Sequence, residues 1–224
     1  MEGHTTYHLL DAKHQMDFGI VPDIGNTGYE FKMRGTDVLV APDSLKAYSE
    51  SRSLWCGIPL MSPFTNRIER DSYYFHLKKY LLNVSMGNFL RTPPHNRPIH
   101  GLQCYDPRWQ VVKTGASAAT GAFITARLEF FKYRDSMAQS PFAHGYETTY
   151  RATDAKLRCT TKVTNKGKSA MPVHFGYHPY FRPAGPRGDW KLAIAAKTHW
   201  IVSEGLIPTR ETERSDACLG LGGH

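Results

Sequence analysis

Three segments set ionisable side chains beside glycine, proline and aromatic residues. They are Gly57–Ile68 (GIPLMSPFTNRI), Pro98–Trp109 (PIHGLQCYDPRW) and Pro172–Phe181 (PVHFGYHPYF). Loops built this way often carry binding and catalytic groups. Here they supply His100, His174 and His178, and an arginine, Arg67, directly after Asn66. An imidazole titrates near neutrality and can give or take a proton at physiological pH. A guanidinium offers a rigid fork of donors to oxygen atoms. Each also has a structural use, as a satisfied loop histidine or as a fork pinning two loops, and residue type alone does not choose between them.

Other chemistries fare worse. His174 and His178 stand four apart, the helical spacing for a shared metal. Pro172, Gly176 and Pro179 disfavour a helix there. On a strand the two would lie roughly 13 Å apart, too far for one ion, so no metal is expected. There is no G-x-S-x-G nucleophile turn and no phosphate-cradling glycine loop. Cys56, Cys104, Cys159 and Cys218 form no CxxC pair, and their wide spacing favours free thiols. The formal charge of +8 comes from lysines and arginines scattered along the chain, with no run beyond Lys78-Lys79. That reads as a solvated basic surface, and neither a nucleic-acid partner nor a membrane partner is expected. No apolar stretch approaches a bilayer span, and the start, MEGHTTYHLLDAKHQ, lacks the pattern of a signal peptide. A cytoplasmic protein is the expectation. Nothing in the sequence specifies an oligomeric state.

The elements that must position these loops read as short strands. The chain carries 12 Tyr, 11 Phe and 4 Trp, types that favour sheets and line sugar pockets. Phe123–Phe131 alternates, with Ile124, Ala126, Leu128 and Phe130 on one face, which predicts a half-buried strand. Further strands are predicted at Trp109–Lys113, Glu147–Arg151, Lys156–Asn165 and Ala170–Phe175. Hairpins are predicted around Arg34-Gly35-Thr36, Lys78-Lys79 and Thr153–Lys156. Ser44–Glu50 reads as a turn or two of helix. Met86–Pro98 and Arg182–Asp189 read as long loops. Many short strands with frequent turns and no evident linker predict one all-β domain over 1–224, a sandwich or barrel.

The order and wording of the motif segments resemble the aldose 1-epimerase family. Gly25-Asn26 with Gly35–Leu39, GIPLMSPFTNRI with Tyr73–Leu82, IHGLQCYDPRW, and the strand pair leading to MPVHFGYHPYF all follow the family's order. The resemblance implies an antiparallel β-supersandwich of the galactose mutarotase type, with a sugar cleft on one face. It implies interconversion of the α and β anomers of a free hexose by acid–base ring opening, with no cofactor. Carried over by position, His178 matches the general acid at the ring oxygen. His100 matches the second active-site histidine, and Arg67 the arginine that grips sugar oxygens, with Asn66 its neighbour. Trp109 and Tyr180 could shape the pocket or simply fill core. His174 matches no role.

This chain departs from the family near its end. The family's glutamate base and a sugar-binding aspartate follow the part matched by Leu206–Glu211, whereas here RSDACLGLGGH follows. Glu204, Glu211 and Glu213 are present but lie outside the base's context. The C-terminal strands of the family are thus expected to be missing, with an uncovered apolar face as the physical cost. Two alternatives stand beside the epimerase reading. One is a sugar binder without turnover. The other is a hexose-6-phosphate 1-epimerase, for which Arg67, Arg97 and Arg108 would have to gather at the pocket.

Overall fold

The computed structural model describes residues 3–52, 55–93 and 96–215. Cys218 and the rest of the 216–224 tail lie outside them. The chain opens with an antiparallel meander of β1 (Tyr7–Asp11), β2 (Met16–Val21), β3 (Thr27–Met33) and β4 (Thr36–Asp37). Helix α1 (Leu45–Ser51) follows, capped where the Ser44 hydroxyl accepts the Ala47 N–H at 3.1 Å. A middle section holds β5 (Leu60–Met61), β6 (Ser72–Phe75), β7 (Lys78–Leu81), β8 (Leu90–Thr92) and β9 (Arg97–Ile99). The second meander is β10 (Gln110–Ser117), β11 (Gly121–Leu128), β12 (His144–Thr153) and β13 (Lys156–Asn165), with α2 (Arg134–Gln139) between β11 and β12. Then come β14 (Gly176–Tyr177), β15 (Thr198–Val202) and β16 (Pro208–Arg214). All ladders among these strands are antiparallel.

The two meanders pack face to face. Leu9, Met16, Phe18 and Ile20 of the first meet Ile124, Tyr150 and Ala152 of the second. A second cluster gathers Leu60, Phe64, Leu102 and Trp109 over Ala126, Leu128, Phe130 and Tyr146. The alternation is fulfilled in β11, where Ile124, Ala126 and Leu128 are buried, but the strand ends at Leu128 rather than Phe131, and the buried Phe130 lies in a 3-10 turn. A third cluster seats α1 through Leu45 and Tyr48 against Val21, Ile24 and Cys56.

Several local readings shift. The hairpin expected to turn at Lys78-Lys79 turns two residues earlier, at His76-Leu77, both with positive φ. That register stacks Tyr73 on Tyr80, centroids 5.2 Å apart, and puts Leu77 at the solvated tip. Met86–Pro98 is not one loop but contains the β8–β9 hairpin. Ala170–Phe175 joins no ladder. Pro172 has no N–H to give, and pairing begins only at Gly176, opposite Met61. On that side Val173, Phe175, Phe181, Ile194 and Trp200 are exposed. Among the described residues no helix is long and apolar enough to cross a membrane.

Candidate functional site

His178 sits on an extended run clasped from both sides. Its N–H donates to Pro59 O (3.1 Å), the Tyr180 N–H to Gly57 O (3.0 Å), and the Val40 N–H to Tyr180 O (2.9 Å). Strand alternation then divides the side chains. Tyr177 turns inward, its hydroxyl against that of Thr161, while His178 and Tyr180 share the other face. Their rings stack with centroids 4.7 Å apart and an interplanar angle of 23°. Close backbone approach makes the run possible. Gly57 has φ 68°, and a Cβ there would fall 2.6 Å from Gly28 O.

His100 arrives from a different part of the sequence. The Leu102 N–H donates to Ser62 O (2.7 Å), and the His100 N–H donates to Asn66 O (3.0 Å). The loops thus lie so close that a Cβ on Gly101 would come 2.1 Å from Ser62 O. His100 and Gly101 both take left-handed backbone, φ 60° and 74°, a conformation a non-glycine residue holds only when its surroundings enforce it. The result is an imidazole pair: His100 and His178, 78 residues apart in sequence, have centroids 5.3 Å apart at 65°.

The Asn66 backbone N–H donates to His100 Nδ1 at 3.1 Å. Nδ1 is therefore the acceptor nitrogen, and a neutral ring carries its proton on Nε2. Burial, then the neighbouring His178, then the charge of Arg67 push the His100 pKa down to about 4. At neutral pH His100 is an uncharged donor through Nε2–H. Arg67 Nη1 donates to the Asn66 side-chain oxygen (3.3 Å), and the Asn66 amide donates to Leu206 O (3.1 Å). The turn between β15 and β16 thereby rests on the site. Neither that turn contact nor the Asn66–His100 bond could be read from the sequence. The only trace was that both partners sat in the motif segments TNRI and PIHG.

The structure brings together His100, His178, Arg67, Asn66 and Tyr180. Trp109 is placed elsewhere, 5 % exposed in the core with its ring 6.2 Å from Tyr146. His174 turns to the Thr65 hydroxyl (Nε2 to Oγ1 2.9 Å) rather than toward His178. A chamber of about 220 Å³ opens beside Arg67, with Phe64, Ile68, Tyr73 and Leu102 in its apolar wall. Among the described residues no three His, Cys, Asp or Glu side chains gather as a metal cradle. No described carboxylate hydrogen-bonds either imidazole of the pair, and Glu213 pairs with His199 (3.0 Å). Of the three arginines a phosphosugar would need, Arg67 lies at the imidazole pair. Arg108 is consumed by Asp106 (2.7 Å) and Asp135 (2.7 Å) and lies over the Tyr133 ring, while Arg97 packs under Gly205.

The fold is thus an antiparallel all-β scaffold that brings an imidazole pair and a guanidinium near one another. Among solved structures, the fold is similar to a galactose mutarotase-like protein from Clostridium acetobutylicum (TM-score 0.75, 20% identity, 94% of this chain and 65% of that one). It is also similar to galactose 1-epimerase from Lactobacillus acidophilus NCFM (TM-score 0.70, 16% identity, 95% and 63%). A third similar structure is the Slr1438 protein from Synechocystis sp. PCC 6803 (TM-score 0.65, 25% identity, 80% and 54%). The aldose 1-epimerase family profile matches residues 20–217, and the chain belongs to that family. It spans about 54–65% of the length of these solved structures.

Proposed function

We propose that the site around the His100–His178 pair binds a free hexose and supports interconversion of its α and β anomers. The observation that carries this reading is the convergence of two imidazoles beside Arg67. His100, neutral and locked by Asn66, offers Nε2–H to a sugar oxygen. His178 makes no hydrogen bond to another described side chain that would commit its ring, and its run is held by backbone bonds to Pro59, to Gly57 through Tyr180, and from Val40 to Tyr180. It is the group to protonate the ring oxygen as the C1–O5 bond opens. Arg67 holds hydroxyl oxygens, and Tyr180 backs the His178 ring. When the ring opens, the C1 hydroxyl passes its proton to solvent water. Rotation about C1–C2 and reclosure then return the proton balance, so no redox group is required. A positioned acid contributes about 10²–10⁴-fold to such a step.

Polarimetry on freshly dissolved α-glucose or α-galactose tests the reading. The wild-type rate should exceed both the spontaneous rate and that of His178→Ala. Equal rates for the two proteins would remove the catalytic assignment. A second reading, sugar binding without turnover, draws on the lack of a described carboxylate hydrogen-bonded to the pair. It predicts saturable binding by calorimetry alongside an unaccelerated anomer exchange.

A further inference from the structure

The sequence scatters its positive charge, but the register of the second meander gathers it. On the solvent face of β10–β13 three cross-strand rows can be followed. One runs Lys113, Thr125, Thr149, Thr160; the next, Phe123, Arg151, Arg158; the third, Arg127, Glu147, Lys162. The middle row is a floor of threonine hydroxyls, with Thr125 and Thr149 in contact at 2.8 Å. Five cations surround it; of the two carboxylates at this face, Glu147 is paired by Arg127 at 2.7 Å and Glu129 by Lys132. Lys113 and Arg151 lie over opposite parts of the same Phe123 ring, at 5.5 and 4.5 Å. They are thereby held over the sheet instead of trailing into water. Three strand spacings of about 4.8 Å give the patch a width of roughly 14 Å, and the run from Arg158 to Lys162 gives it a similar length. That is a strip for a polymer, larger than a seat for one small anion. Cations from four separate strands on one face are what a polyanion requires.

We propose that this outer face of the second meander binds a linear acidic polysaccharide, with the cations pairing its sulfate or carboxylate groups and the threonines its hydroxyls. Charge complementarity selects an anionic partner. Single-stranded nucleic acid is disfavoured because bases need free aromatic faces to stack on, and the one aromatic ring of these rows, Phe123, is covered by two cations. The face is formed by the side chains opposite to those that pack on the first meander, and it shares no residue with the His100–His178 site.

The test is binding of dextran sulfate to the full chain by calorimetry, with neutral dextran and a single-stranded DNA of matched charge as further ligands. A face variant, Arg151→Gln with Arg158→Gln and Lys162→Gln, is compared with a control, Lys13→Gln with Arg34→Gln and Lys46→Gln. All six residues are solvent-accessible, five of them exposed and Arg151 half-buried, and both variants lose three charges. The proposal expects dextran sulfate binding at about 0.1 M salt that the face variant weakens at least tenfold and the control leaves within about twofold. The slope of log K against log salt should shrink by about two to three, because each lost cation releases one fewer counterion. Equal losses in both variants would overturn the proposal, as would no binding by the wild type. Tighter binding of the DNA than of dextran sulfate would overturn the choice of ligand.

Discussion

His100 should remain uncharged, with its proton on Nε2, down to about pH 5. The perturbation is pH itself. Lowering the midpoint from 6.5 to about 4 at 1.36 kcal/mol per pH unit corresponds to at most roughly 3 kcal/mol favouring the neutral ring. The effective figure is smaller, because water reaches part of the ring and screens Arg67 and His178. The sign follows from the direction of the change. A histidine whose folded pKa lies below its unfolded one stabilises the fold above pH 6.5, and that stability drains away as pH falls from 6.5 toward 4. At pH 7 roughly one ring in a thousand would be protonated. His100 therefore acts as a hydrogen-bond donor, and the acid limb of any pH–rate profile above pH 5 belongs to another group. Nitrogen-15 NMR of the imidazoles checks this. His100 should show a pyrrole-type Nε2 and a pyridine-type Nδ1, with no titration between pH 8 and 5. A midpoint near 6.5, or a proton on Nδ1, would refute both the tautomer and its cause, the Asn66 N–H at 3.1 Å.

Four further outcomes are expected. Gly101→Ala should cost at least about 2 kcal/mol in urea melts, since φ 74° is unfavourable for alanine and its Cβ would press on Ser62 O. Arg67→Ala should weaken sugar binding by about tenfold or more in calorimetry, with little change in stability, by removing charged donors from sugar oxygens. Arg108→Ala should destabilise by about 3 kcal/mol in the same melts while leaving sugar affinity unchanged, because it strands the buried Asp106 carboxylate. Leu128→Ala, a truncation at a fully buried core position, should cost about 2–5 kcal/mol by thermal or urea unfolding.

The strand-rich character was legible because period-two patterns such as Ile124, Ala126 and Leu128 depend only on alternation along a pleated backbone. Local turns were legible where glycine or a short polar pair marks them, as at Arg34-Gly35 and Asp154-Ala155. The His76-Leu77 turn was missed because nothing local favours it. Cross-strand stacking of Tyr73 on Tyr80 selects that register, and stacking between strands is not written in either strand alone. Trp109 shows the same limit: an indole suits a sugar platform or a core equally well, and only packing against Tyr146 sends it inward.

By itself the sequence determined the all-β class, the family, and the short segments that carry His100, His178 and Arg67, since those rest on residue type and order. Tertiary structure alone decided what these groups are. The neutral state of His100 follows from its burial and from His178 and Arg67 brought in from other loops, and its tautomer from the Asn66 N–H, and the +8 charge becomes a patch only when strand register aligns it. Electrostatics and hydrogen bonding act through space, so groups far apart along the chain acquire their chemistry only once the fold has set the distances between them.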